Sequence, residues 1–349
     1  MKTKAYNPCL DIVKFILANM VVCIHFVLPG QFGEAVDCIA RVAVPFFFMV
    51  SGFYSFNCDN RILWRRFLRN SLLLVSISLV YALWGVWETK LILHEGIRNY
   101  LCEKVNVSTG ADFVLYSINP FSNHLWFIEA LAIAYLVFLI FNLVIKNKSI
   151  MNTVLIVLMT ISLCAHIWMG SIVSMIMTEP VPKQYYRNAW LFGIPLFLLG
   201  YTISWVMNKW NTRTIKMRII LTMILVFGIV AGLFQWFTFG KAEMPIGMLL
   251  VAVSLIMLVL GLPEPNTDSK RYVKLVAIAK TLGKTSVWIY VIHKLIGEII
   301  ESYAPYNAFC GYIYNGYRFP LVVMAISTGI SIAIVFIVRI IKDKVQVKT

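Results

Sequence analysis

Charge is scarce in this chain. Of its 349 residues only 13% are Asp, Glu, Lys or Arg, while 60% are hydrophobic and the mean hydropathy is +0.79. Soluble domains are about a quarter charged, so the composition excludes an ordinary soluble domain and indicates an integral membrane protein. Acidic residues are the scarcer sign, with 16 Asp and Glu against 31 Lys and Arg, for a net charge of +15. No basic run carries the Gly and aromatic signatures of RNA binding, which sets nucleic acid aside as a partner. Anionic membrane lipid is the ordinary sink for such charge. The seven cysteines are scattered, with no CxxC and no Cys/His metal spacing, so no metal is expected. Cys9, Cys23 and Cys164 lie in or beside apolar segments, as small hydrophobes do. A Cys102–Cys310 disulfide between outer loops is conceivable. P-loop, zinc and GxSxG motifs are also missing, so any chemistry rests on His, Arg, Glu and Ser within a membrane bundle.

Long apolar segments dominate. They fall at 10–28, 36–56, 70–93, 124–145, 150–169, 189–207, 219–238, 244–262, 284–301 and 319–338. Each approaches the roughly 20 residues that a bilayer core requires. The fold class is therefore all-α, a polytopic bundle of about ten transmembrane helices. No loop is long enough for a core of its own, so residues 1–349 read as a single domain. Lys2 and Lys4 precede the first segment as in a signal peptide, but that segment is long and lacks a cleavage pattern, so it reads as a retained span.

Loop charge gives the orientation. Arg61, Arg65, Arg66 and Arg69 share one expected loop; Lys209, Arg213, Lys216 and Arg218 share another; Lys270, Arg271, Lys274 and Lys280 share a third. The tail adds Arg339, Lys342, Lys344 and Lys348, whereas 94–123 and 170–188 carry only Arg98, Lys104, Lys183 and Arg187. The positive-inside rule then places both termini in the cytoplasm.

The first segment, LDIVKFILANMVVCIHF, carries Asp11, Lys14 and His25, and ionisable residues in a span are functional candidates. Lys14 and His25 are separated by ten residues. That spacing leaves them within about 20° of one helical face and roughly 16 Å apart along the axis. Asp11 and Lys14 form an i,i+3 pair that neutralises itself or lets Lys14 snorkel to the headgroups. The second segment, RVAVPFFFMVSGFY, has Arg41 at its outer start, Pro45 as a kink candidate, and Ser51-Gly52 as packing residues. WRRFLRN contains Arg66 and Arg69 as an RxxR pair, suited to phosphate. HLWFIEAL places His124 at an interface and Glu129 deeper, where a carboxylate needs a partner. Arg187 is an outer cation before WLFGIPLFLLGY, in which Pro195 and Gly200 suggest a bent, closely packed helix. Ser286, Tyr290 and His293 share one face of the ninth segment.

In order and spacing these pieces resemble the membrane-bound acyltransferase 3 family. LDIVKFILANMVVCIHF is similar to its first helix, with Arg or Lys, ten residues, then His. RVAVPFFFMVSGFY is similar to its second helix, and Arg66 and Arg69 to its RxxR. HLWFIEAL, WLFGIPLFLLGY and WIYVIHKLI resemble later helices. The resemblance implies transfer of an acyl group, usually acetyl, from cytoplasmic acyl-CoA to a hydroxyl of a surface glycan or lipid-linked sugar. On that basis His25 is the expected catalytic base, with Glu129 orienting it, and transfer is direct or through an acyl-histidine. Lys14, Arg66 and Arg69 are expected to bind acetyl-CoA or another acyl-CoA. Arg41, His124, Arg187 and His293 are candidates to contact the acceptor. The expected location is the bacterial inner membrane. The competing readings are a transporter or flippase for a sugar or amino acid, using the same polar interior as a pathway, and a membrane scaffold for a partner enzyme.

Overall fold

A computed structural model describes residues 6–92, 94–106, 109–176, 181–210, 214–262 and 270–346. Lys2, Lys4, Arg213 and Lys348, which enter the charge pattern above, lie outside the described residues. The described chain is all-α. In order the helices are α1 (Pro8–His25), α2 (Gly30–Ala40), α3 (Ala43–Phe53), α4 (Asn60–Leu91), α5 (Ile97–Lys104), α6 (Thr109–Tyr116), α7 (Trp126–Val144), α8 (Lys148–Ile167), α9 (Val173–Ile176) and α10 (Ile194–Lys209). They continue as α11 (Ile215–Phe239), α12 (Ile246–Leu260), α13 (Lys270–Tyr303), α14 (Ala308–Ile313) and α15 (Arg318–Gln346). Among the described residues nine helical segments are long and apolar enough to cross a membrane. The expected span at 244–262 is the short α12, whose 15 residues rise only about 22 Å, against a hydrocarbon core of about 30 Å. Pro245 precedes it and Gly261 follows it, which fixes both ends.

Three boundaries differ from the sequence expectation, each for a local reason. The second span begins at Gly30 and breaks between α2 and α3 at Arg41-Val42. In an unbroken helix the nitrogen of Pro45 would have to donate to the Arg41 carbonyl, and it has no hydrogen to give. The break places Pro45 in the first turn of α3, where no donor is needed. The arginine segment is not a loop: α4 starts at Asn60, so Arg61, Arg65, Arg66 and Arg69 lie on its first turns. Asp59 caps it, accepting from the Arg61 nitrogen at 2.7 Å, and no Gly or Pro occurs in the helix before Gly85. Likewise α13 starts at Lys270, well before the expected span.

The chain forms two compact units. The first comprises Met1–Ala43, Arg213–Val226 and Ser254–Thr349; the second comprises Val44–Thr212 and Phe227–Val253. In the first unit α1 packs along α13, which also carries α14 and α15. Asn7 caps α1, accepting from the Leu10 nitrogen at 3.1 Å, and Pro8 fills its first position. Two glycines of α13 allow this close approach. A β-carbon on Gly283 would collide with the Asp11 carboxylate, and one on Gly297 with the Phe26 ring. Phe26 further packs edge-on against Phe319 of α15 at 4.9 Å between ring centres. Asn19 of α1 accepts from the Thr328 hydroxyl of α15 at 2.9 Å. Replacing Gly297 by Leu overpacks this seam, at a cost of about 1–3 kcal/mol. The expected result is a lower melting temperature of the purified protein, and an unshifted one would show that the α1–α13 seam tolerates the bulk.

The second unit holds an aromatic core in which Phe48, Trp126, Phe192, Phe197, Tyr135 and Tyr201 interlock. The backbones of α3 and α10 meet at Gly52 and Gly200, as the packing reading of those residues expects. Before α10 the chain makes a wide π turn over Ala189–Gly193, capped by the Asn188 side chain on the Trp190 and Leu191 nitrogens, both at 3.0 Å. The wide turn absorbs the donor missing at Pro195. All seven cysteines are free, so the Cys102–Cys310 bridge is not formed.

Candidate functional site

The ionisable residues of the spans divide between the two units. Lys14, His25, Arg41 and His293 belong to the first; Arg66, Arg69, His124, Glu129 and Arg187 belong to the second.

In the first unit, the seam between α1 and α13 assembles a histidine pair. His25 is half-buried on the last turn of α1, and the fully buried His293 of α13 stands beside it, 5.0 Å between ring centres and tilted by 45°. Nδ1 of His293 lies 3.1 Å from the Ile289 carbonyl oxygen. A carbonyl only accepts, so this nitrogen carries the hydrogen, and in the neutral ring Nε2 carries a lone pair. Phe26 and Tyr290 complete the wall, with ring centres 6.4 and 6.0 Å from His293. The shared face of Ser286, Tyr290 and His293 is thus an interior face, and all three side chains are buried. Sequence spacing identified this face, but only the fold pairs His293 with His25.

At the other end of α1, Lys14 is ion-paired with Asp11, which also accepts from the Tyr6 hydroxyl at 2.8 Å. Lys14 keeps about a quarter of its side chain exposed. Arg41 is engaged by the buried Asp37 one turn earlier, with Nε and an Nη nitrogen each 3.1 Å from the same carboxylate oxygen. Its guanidinium is therefore committed in large part to its own helix.

In the second unit the arginine pair proves unequal. Arg66 donates to the Tyr54 carbonyl at 3.0 Å and to the Ser55 hydroxyl at 3.3 Å, tying α4 to the end of α3. Arg69 lies one turn further along α4 and is exposed. His124 is buried, with Ser122 Oγ 2.8 Å from Nδ1 and the Tyr81 hydroxyl 3.4 Å from Nε2. Both of its ring nitrogens thus face partners within the protein.

Glu129 is the anomaly. It is 1% exposed, and neither carboxylate oxygen has a hydrogen-bond partner among the described residues. A buried carboxyl in that condition is costly, and buried polar groups are almost always satisfied. Such a group marks a place where a proton or a ligand supplies the missing partner.

His166 of α8, which the sequence places near the end of an apolar span but does not mark as a site residue, is buried; it packs on Phe192 and holds the Tyr186 carbonyl at 2.9 Å through Nδ1. Arg187 follows Tyr186 and sits with its guanidinium 5.5 Å from the Trp126 ring centre, while Glu243 lies 3.6 Å away. Among the described residues no cluster of His, Cys, Asp or Glu could hold a metal ion.

A family model described as an acyltransferase domain matches residues 7–340. The chain belongs to the acyltransferase 3 family. Nine apolar helical segments and this match make it a multi-pass membrane acyltransferase. No curated protein and no solved structure matches the chain. The family match spans the histidine pair, the arginine pair and Glu129 alike.

Proposed function

We propose that this acyltransferase moves an acyl group, acetyl in the simplest case, from acyl-CoA to a hydroxyl of a cell-surface glycan or lipid-linked sugar. The half-buried His25 backed by the buried His293 is the observation that carries this reading. His25 takes the proton of the acceptor hydroxyl as its oxygen bonds to the thioester carbonyl carbon. The carbon–sulfur bond then breaks, and the CoA thiolate leaves and takes up the proton. His293 is a positioning residue for the His25 imidazole. Arg69 is the contact to the acyl-CoA phosphates in this reading, because it is exposed and phosphate suits a guanidinium. The loop charges support an arrangement with both termini on the cytoplasmic side of a bacterial inner membrane, the donor inside and the acceptor outside.

Two measurements test the reading. Acetyl-CoA at 100 times its Kd stabilises the purified protein by about 2.7 kcal/mol, seen as a raised melting temperature. A transporter or scaffold shows no such rise. Glycans from a deletion strain are expected to lose ester-linked acyl groups, and an unchanged acylation pattern rejects the acceptor class.

The two arginines are expected to separate. Arg69→Ala raises the KM for acyl-CoA with turnover at saturation nearly unchanged, because an exposed phosphate contact binds ground and transition states alike. Arg66→Ala also lowers the melting temperature, since charged hydrogen bonds of the kind it makes to Tyr54 and Ser55 are worth about 1.5–3 kcal/mol. Lost turnover at saturating acyl-CoA in Arg69→Ala would rule out a pure binding role.

A further inference from the structure

A cavity of about 260 Å³ opens within the second unit, between the end of α6, the start of α7 and the segment that precedes α10. Its lining includes Tyr116, Asn123, Trp126, Lys183, Gln184 and Arg187. The volume is just under the roughly 300–1,000 Å³ of drug-sized ligand sites, which suits one sugar-sized group. Two features give it a charge preference. Lys183 and Arg187 share a single carboxylate: Lys183 Nζ is 3.9 Å from one oxygen of Glu243 and Arg187 Nη1 is 3.6 Å from the other. Two cations against one anion leave the rim net positive. Both distances exceed hydrogen-bond length, and among the described residues the Arg187 guanidinium makes no closer polar contact. Its orientation is nevertheless set, because it lies against the Trp126 ring, and Trp126 is buried in the aromatic core. A fork of donors held in place but not consumed, beside two amides and two aromatic rings, is a receptor for a planar anion on a hydroxylated ring.

We infer that this cavity binds a carboxylate-bearing sugar residue of the acceptor, with Arg187 gripping the carboxylate, Lys183 adding charge, and Asn123 and Gln184 meeting hydroxyls. The inference rests on the acyltransferase reading above and narrows its acceptor to an acidic saccharide. A glycan spans many residues, so a subsite for one of them fixes register along the chain without itself holding the reacting hydroxyl. Glu243 acts as a restraint that keeps the two cations together and lowers the affinity for small anions.

The test is binding of methyl glucuronide, methyl glucoside and glycerol 1-phosphate to the full chain in detergent, by isothermal titration. The glucuronide is expected to bind, and the uncharged glucoside about tenfold or more weaker, for loss of the charge-assisted pair. Arg187→Gln is expected to remove the difference between the two sugars, and Glu243→Gln to tighten glucuronide binding. The opposite sign of the two variants separates a binding role from damage to the fold, because misfolding weakens both. Equal binding of glucoside and glucuronide overturns the inference. So does preferred binding of glycerol 1-phosphate, which would assign the cavity to an anionic lipid headgroup. Stabilisation by acetyl-CoA is measured on the same samples. If it persists while glucuronide fails, the cavity assignment falls and the acyl-CoA donor stands; if glucuronide binds and acetyl-CoA does nothing, the cavity assignment stands and acetyl-CoA falls as the donor.

Discussion

Substituting His25 by Ala is expected to cut transfer from labelled acetyl-CoA by about 10²–10⁴-fold, the usual worth of a positioned general base. The loss falls on turnover. In the proposed mechanism His25 meets the hydroxyl proton in the transition state and contributes little to holding the donor, so heat protection by acetyl-CoA is expected to persist in the variant. The side chain is half-buried at a helix end, so its removal leaves an open gap rather than a sealed cavity, and the fold is expected to be retained. The measurement is a reconstituted assay with wild type and variant at saturating acetyl-CoA. Transfer by the variant at the wild-type rate would remove His25 from the mechanism.

Local pattern carried some of this site and long-range packing the rest. The Lys14 and Asp11 pair and the common face of Ser286, Tyr290 and His293 are consequences of helical period, and the structure shows both. The alignment of α1 on α13 is different in kind. It depends on Gly283 and Gly297 lying opposite Asp11 and Phe26, a match between segments far apart in sequence that no window could register. The same limit separates the partners of His124: Ser122 is two residues away, while Tyr81 comes from another helix. Charge pattern misled at Asn60–Arg69. Four arginines read as a cytoplasmic loop, yet long unbranched side chains are good helix formers and Asp59 supplies a cap, so the basic stretch became the start of α4. Glu129 shows the opposite failure. Burial made a partner the natural expectation, and its carboxylate has none among the described residues. That vacancy is not a property that sequence can express, because it depends on what every neighbouring helix does not present.

Replacement of His293 by Leu is expected to lower turnover by about 10–100-fold, the range that outer partners of metal-bound imidazoles carry, with the KM for acyl-CoA unchanged. The argument is geometric. His293 is fully buried and its Nδ1 hydrogen is spent on the Ile289 carbonyl, so the ring is fixed against its own helix and forms a rigid wall 5.0 Å from the His25 ring centre. In the proposed mechanism it acts through His25, by limiting the directions in which that imidazole can turn. Leu fills a similar volume and keeps the α1–α13 seam packed, so the melting temperature is expected to stay within a few degrees of wild type, while the polar ring beside His25 is gone. His293→Gln tests the distinction. An amide restores a polar group in that position, and partial recovery of turnover over His293→Leu is the expected result. If Leu and Gln lower turnover and melting temperature alike, His293 serves packing alone and the pairing of the two imidazoles carries no part of the transfer.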